Sequence, residues 1–229
     1  VKVPDEFFPN SVALNNCLID KCFIFAINGL NNYRLFALKP LYMHEKLRQH
    51  IEKIVPLTND EFAFISTHFT TKKFKKHQFI IQEGDTVKYC YFVISGLLKL
   101  VHTDNGGKPH IVSFAMEEWW ESDYYAFFTQ TEATLSLECL EDTEVLCCTL
   151  KNYNKLCDGL PKMQRFFLEK ANFGFLGSQR RIISWLTSNS KERYEQLLKQ
   201  YPSLMQRVPK SLIASYLGIS RETLSRLSA

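Results

Sequence analysis

No run of apolar residues in this 229-residue chain approaches the roughly 20 that a membrane-spanning helix needs. The most apolar N-terminal stretch, Cys22 to Ile27, is short, and Asp20 and Lys21 stand directly before it. No secretory signal is legible either, so a cytosolic protein with no membrane partner is expected. Also missing are a glycine-rich phosphate loop, a nucleophile–base motif and any long-period repeat. No His-x-His occurs, although a metal-dependent β-roll enzyme of the cupin type uses that pair with a carboxylate and a later His. That enzyme is the main alternative reading, and this absence weighs against it; no catalytic residue and no cofactor is expected. The seven cysteines (17, 22, 90, 139, 147, 148 and 157) are odd in number and lie largely in apolar, strand-like contexts. Reduced thiols are the simplest reading. Cys147 and Cys148 are adjacent on a strand and point to opposite faces, so they cannot grip one metal ion together.

What is present is ordinary for a globular chain: 45% apolar and 23% charged residues. The charge is unevenly spread. Residues 161–229 hold 12 Lys+Arg against 4 Asp+Glu, whereas residues 1–160 hold 16 against 20. An acidic body with a basic C-terminal module suits contact with a polyanion.

Residues 1–42 show weak periodicity and no motif; they read as an added arm or as an over-extended start before Met43. His44 to Ile54 and Thr58 to His68 then read as two short helices, the second opened by Thr58 with Glu61 three residues on. From Lys72 to Thr149 the signal is β. Short β-branched or aromatic runs (Phe79–Ile81, Tyr89–Ile94, Leu97–Val101, Ile111–Phe114, Leu135–Cys139, Val145–Thr149) alternate with turn chemistry such as Glu83-Gly84-Asp85 and Ser95-Gly96. Such spacing predicts a sandwich, barrel or roll. After Leu150 the pattern is helical. Pro161 suits a first helical turn. Phe167, Ala171, Phe175, Ser178, Ile182 and Leu186 form one stripe, and Phe166, Phe173, Leu176 and Ile183 form another. A helix with two apolar faces needs two covering surfaces, for example its own β domain and a second copy. Arg193 to Gln200 forms a short amphipathic helix, stopped near Pro202.

The most informative segment runs from Val208 to Leu227. Pro209 sits at a helix start, and Ile213, Ala214 and Leu217 supply a buried face. Gly218 suits a left-handed turn, Ile219 plugs it, and Ser220 caps the next helix. Leu224 and Leu227 face inward, which leaves Arg221, Glu222, Ser225 and Arg226 outward. This is helix-turn-helix patterning, in which the second helix offers its first turns to the major groove of duplex DNA. Arg can donate twice to guanine, and Glu can accept from the cytosine amino group.

From Met43 onward the chain resembles the Crp–Fnr (catabolite activator) family of regulators. Ser220-Arg221-Glu222-Thr223 with Arg226 is similar to that family's recognition-helix signature, and Ile81-x-x-Gly84-Asp85 with Tyr91-Phe92-Val93-Ile94-Ser95-Gly96 resembles its β-roll. The resemblance implies an α+β protein in three parts: a cyclic-nucleotide-binding-like β-roll (double-stranded β-helix) over 43–160, a dimerisation helix over 161–186 and a helix-turn-helix domain over 187–229. It implies base reading by Arg221, Glu222 and Arg226, with phosphate contacts from Ser220 and Thr223; Lys210 and Ser225 join this DNA-binding set. Duplex DNA and a second copy are the implied partners, with RNA polymerase and a small-molecule effector as further ones. The family's β-hairpin wing has no counterpart before Ala229, which keeps open an interaction module that no longer binds DNA.

Cyclic-AMP binders of the family carry a phosphate cassette: a Gly-Glu pair, a short helix, then an Arg and a small hydroxylic residue. Here Trp120-Glu121 and Ala133-Thr134 stand at those places. Bulky Trp120 replaces the Gly, and no Arg neutralises a phosphate, whose burial without a charge partner is costly. Glu117, Glu118, Glu121 and Asp123 would repel it further. The cyclic-nucleotide site is therefore expected to be lost, although Glu121 could still hold a ribose hydroxyl. Trp119, Trp120, Glu121, Tyr124, Ala133 and Thr134 are left either as an effector pocket or as filling of the nucleotide's space. Cys17 and Cys22 alone cannot supply the four ligands of the family's iron–sulfur branch, and His77, His102 and His110 read as surface residues rather than haem ligands.

Overall fold

The computed structural model describes residues 44–227; the proposed N-terminal arm, with Cys17 and Cys22, lies outside them. Residues 44–52 form helix α1, and α2 spans Asn59–Ser66. The expected capping box is present: Thr58 Oγ1 accepts the Glu61 N–H, and the Glu61 carboxylate accepts the Thr58 N–H at 2.7 Å. Eight strands follow: β1 (Thr70–Phe74), β2 (Phe79–Ile81), β3 (Tyr89–Ser95), β4 (Leu98–Thr103), β5 (Pro109–Ala115), β6 (Trp120–Glu121), β7 (Ser136–Cys139) and β8 (Thr143–Thr149). They form two antiparallel four-stranded sheets, in the orders β1-β8-β3-β6 and β2-β7-β4-β5. Strand order departs from chain order in both, so the chain winds between the sheets as a roll does. A helix, α3 (Tyr124–Thr129), interrupts the strands between β6 and β7.

Two strands were not anticipated. β1 reads Thr-Thr-Lys-Lys-Phe and is largely exposed. It lies at a sheet edge, where lysines are tolerated and discourage edge-to-edge pairing. β6 has two residues, too few for any period. By contrast β3 is buried along nearly its whole length because β8 and β6 flank it and side chains on both its faces are covered. At the turn after β3 only glycine fits: Gly96 has φ +109°, and a Cβ there would lie 2.4 Å from Thr143 Oγ1 and 2.7 Å from its Cα.

The C-terminal half is helical: α4 (Leu150–Gly159), α5 (Pro161–Thr187), α6 (Ser190–Gln200), α7 (Pro202–Arg207), α8 (Lys210–Leu217) and α9 (Arg221–Leu227). α5 has Pro161 in its first turn. Its two apolar stripes are divided along its length as well as around it. Met163, Phe166 and Phe167 are buried in the core of the roll, whereas Leu168, Phe175, Ile182 and Leu186 are 59–80% exposed. The segment around Pro202 continues as α7, because Pro202 itself occupies a first helical turn.

Candidate nucleic-acid interface, cassette region and the contact between them

Helix α8 ends at Gly218, whose φ of +65° places it in the left-handed region. Its neighbour Ile219 returns a hydrogen bond to the Ala214 carbonyl at 3.0 Å. A side chain at Gly218 would also collide with Trp185, whose Cη2 lies 2.3 Å from the ideal Cβ position. The turn thus needs glycine for two reasons, and sequence reasoning supplied one. Ser220 caps α9, its hydroxyl accepting the Thr223 N–H at 3.1 Å. Ile213, Ala214, Leu217 and Leu224 are buried together, so α8 and α9 are held by the face expected for them. Arg221, Glu222, Ser225 and Arg226 are exposed, Thr223 is half-buried, and exposed Lys210 opens α8. The Glu222 carboxyl is held below the usual carboxylate range, chiefly by its own backbone N–H, then by the Ser220 hydroxyl, with Arg221 and Arg226 nearby. The surface therefore keeps one anionic acceptor between two guanidinium groups.

The six cassette-region residues are dispersed. Trp120 turns into the core, with ring contacts to Phe69, Phe92, Phe166 and Phe167, and donates its Nε1–H to His50 Nε2 at 3.3 Å. Trp119 is half-buried at the edge of the roll's core and packs edge-on against Tyr201 of the C-terminal segment. Tyr124 stacks on Phe128. Glu121 is buried and accepts from Ser113 Oγ at 2.6 Å and from the Ser122 N–H at 3.1 Å; burial pushes its pKa up to about 7. Ala133 is buried, with its N–H on the Asp85 carbonyl. Thr134 donates both its N–H and its hydroxyl to Asp123. Asp123, expected only to repel a phosphate, is fully buried and hydrogen-bonded within the segment. Among the described residues, no group of three His, Cys, Asp or Glu side chains is placed to hold a metal ion. Burial raises the Cys139 and Cys147 thiols to about 11 and 12, well away from reactivity.

The roll and the C-terminal helices share a second core. Leu97, Val101, Ile111, Phe114 and Leu140 from the roll meet Leu197, Leu204, Val208, Ile213 and Leu217 from the C-terminal helical part. Arg207 at the end of α7 anchors the contact. Its guanidinium donates to Glu117 (2.7 and 3.1 Å), to Glu141 (3.0 and 2.7 Å) and to the Gly96 carbonyl at 2.9 Å. Arg181 of α5 donates to the Ile111 and Val112 carbonyls and lies 4.1 Å from the Tyr216 ring centroid, while Phe114 and Tyr216 pack at 5.3 Å. These pairs are 66 to 111 residues apart for Arg207, beyond the reach of local pattern.

The matched family model covers part of this architecture. Residues 71–159 match the cyclic nucleotide-binding domain. This domain comprises nearly the whole roll and α4. A comparison with curated proteins found no match. Among solved structures, the chain is similar to FixK2 from Bradyrhizobium japonicum, at 17% identity over 70% of this chain and 82% of that one, with a TM-score of 0.61. It is also similar to the c-di-GMP responsive global regulator CLP of Xanthomonas campestris, at 14% identity, 74% and 89% coverage and a TM-score of 0.61. A third similar structure, from Eubacterium rectale and described as a transcriptional regulator of the crp/fnr family, gives 18%, 75% and 82%, and 0.57. At these identities the likeness establishes the fold alone: a cyclic nucleotide-binding-type roll followed by C-terminal helices, as in those three structures. Among the described residues, no helix is long and apolar enough to cross a membrane.

Proposed function

We propose that the chain is a transcription regulator that binds duplex DNA in a sequence-specific way through α9, as a homodimer joined through α5, without responding to cyclic AMP. The observation that carries the reading is the junction of α8 and α9. A left-handed Gly218 and the Ser220 cap aim a helix whose outward residues include two guanidinium groups and a carboxylate. Arg221 and Arg226 lie five residues apart and leave the helix about 140° from each other, so they address different parts of a half-site. Glu222 accepts from cytosine or holds an Arg extended toward guanine, Ser220, Thr223 and Lys210 contact phosphates, and Ser225 joins the outward DNA-facing set. The exposed apolar stretch of α5, from Leu168 to Leu186, supplies the surface that a second copy covers. A dimer with two such helices meets half-sites about one helical turn apart.

Against cyclic AMP stand three placements. Trp120 belongs to the core, Glu121 is occupied by Ser113 and Ser122, and Ala133 brings no cation. Selection of bound duplexes from a random pool, followed by binding at fixed salt, tests the reading. Arg221→Ala and Arg226→Ala should each cost roughly 1–3 kcal/mol and relax preference at one position. Lys210→Ala should instead weaken all sequences alike and flatten the salt dependence. Wild-type affinity and base preference in both Arg variants would overturn it.

A further inference from the structure

Asp123 stands near the start of the segment that links β6 to β7, as the N-cap of α3. Its side chain is fully buried, yet among the described residues its hydrogen-bond donors are backbone N–H groups and a hydroxyl, not a cation. Instead it is surrounded by donors. Oδ1 accepts the Ala126 N–H at 3.1 Å, at the first turn of α3. Oδ2 accepts the Thr134 N–H at 2.7 Å, the Thr134 hydroxyl at 3.0 Å and the Leu135 N–H at 3.0 Å. Three backbone amides and a hydroxyl, from two separate segments, converge on one carboxylate group. Converging N–H groups of this kind form the concavity in which proteins hold oxyanions, and each is costly to leave unpaired when buried. The same segment holds Ala133-Thr134, the place at which a cyclic-nucleotide cassette would offer its anion contacts.

We infer that Asp123 is a built-in anion: its carboxylate occupies the nest formed by Ala126, Thr134 and Leu135, so the roll is closed around its own ligand and takes no anionic effector. Two consequences follow. The position of α3 relative to β7 is fixed by a covalently attached group, present at constant and saturating effective concentration. The state that an oxyanion would otherwise have to select is then the resting state. This inference rests on the regulator reading above for its physiological meaning, but the carboxylate's role in the nest does not depend on DNA.

The test uses the full chain, with inorganic phosphate and cyclic AMP as probes. In wild-type protein the amides of Ala126, Thr134 and Leu135 should be protected from hydrogen exchange. Their NMR shifts should stay fixed when millimolar phosphate or cyclic AMP replaces chloride at constant ionic strength. In Asp123→Ala these amides should exchange at least about tenfold faster, and phosphate should slow them again, while Asp123→Asn, which keeps an acceptor, should fall between. Overturning results are unchanged protection in Asp123→Ala, acceleration that phosphate does not reverse, or wild-type shifts that move with either probe. If Asp123→Ala does not fold, the wild-type titration decides alone: fixed shifts uphold the inference and moving shifts end it. A DNA-binding arm separates the two readings. Failure of the wild-type chain to bind any duplex would overturn the proposed function and leave the exchange result standing. DNA affinity that rises with either probe would overturn the built-in anion.

Discussion

Replacing Arg207 by Met keeps most of the side chain's length and removes its charge, and the contact between the roll and the C-terminal helices should loosen. The guanidinium donates to two carboxylates and to the Gly96 carbonyl, and its side chain is 26% exposed, against 36% and 37% for Glu117 and Glu141. Fully buried pairs broken on one side cost about 3–5 kcal/mol, while exposed pairs contribute about 0.2–1 kcal/mol. With the carboxylates a little over one third in water, a loss of about 2 kcal/mol is expected. The Glu117 carboxyl adds a pH signature. Burial alone would raise its pKa, but the Arg207 guanidinium and the Gly96 N–H hold it below the ordinary value. A depressed folded-state pKa gives stability that is present above the unfolded value, about 4.5, and is lost as pH falls through the folded one. The difference between wild type and Arg207→Met should therefore be full near neutral pH and shrink in acid. Urea denaturation of the full chain at several pH values measures it. A difference below about 0.5 kcal/mol at neutral pH, or one that grows on acidification, would refute the reasoning.

Gly218→Ala should destabilise by about 2–4 kcal/mol, combining left-handed strain with the clash on Trp185. Adding Trp185→Leu should recover the clash but leave about 1 kcal/mol of strain, as thermal melts will read. Glu121, with its pKa raised to about 7 by burial, stays protonated in the fold after the unfolded chain has ionised. Stability should thus fall by up to about 3 kcal/mol between pH 4.5 and pH 7. Glu121→Gln should flatten that slope in pH-dependent denaturation. Phe175→Glu and Leu186→Glu, on the exposed length of α5, should each yield a monomer by light scattering while leaving the far-UV spectrum of the folded chain unchanged.

Local chemistry was legible where one segment carries all of it. The Thr58 capping box, the Gly96 corner and the Gly218–Ser220 junction each declare themselves within a few residues, and the structure realises all three. What escaped was non-local or too small. β1 hid behind its lysines because an edge strand needs no apolar alternation, and β6 was too short to have a period. The aromatic run Trp119-Trp120 looked like one feature, but Trp119 closes the turn before β6, with its N–H on the Met116 carbonyl, while Trp120 opens the strand; Trp120 enters the core and Trp119 meets Tyr201. Asp123 reads as a repelling charge because three of its four donors are backbone N–H groups, which no side-chain pattern announces. Arg207 had no signal at all, since its acceptors lie in turns of a different part of the chain.

Helix α5 is also a strut. Its 27 residues span about 40 Å at 1.5 Å per residue; its first turns are clamped in the core of the roll, and Trp185 near its far end bears on the α8–α9 turn. A tilt of about 5° at the clamped end would carry the far end about 3.5 Å over that length, comparable to the rise of one DNA base pair. Arg207 fastens the same helical body back to the roll at a second point, as a brace fastens a strut. Arg181, toward the far end of the strut, adds a third point on β5, and a body held at several points cannot swing on one of them. A change in the pitch of α9 relative to the roll would therefore have to part Arg207 from Glu117 and Glu141 and Arg181 from the β5 carbonyls together, or bend the strut between its ends.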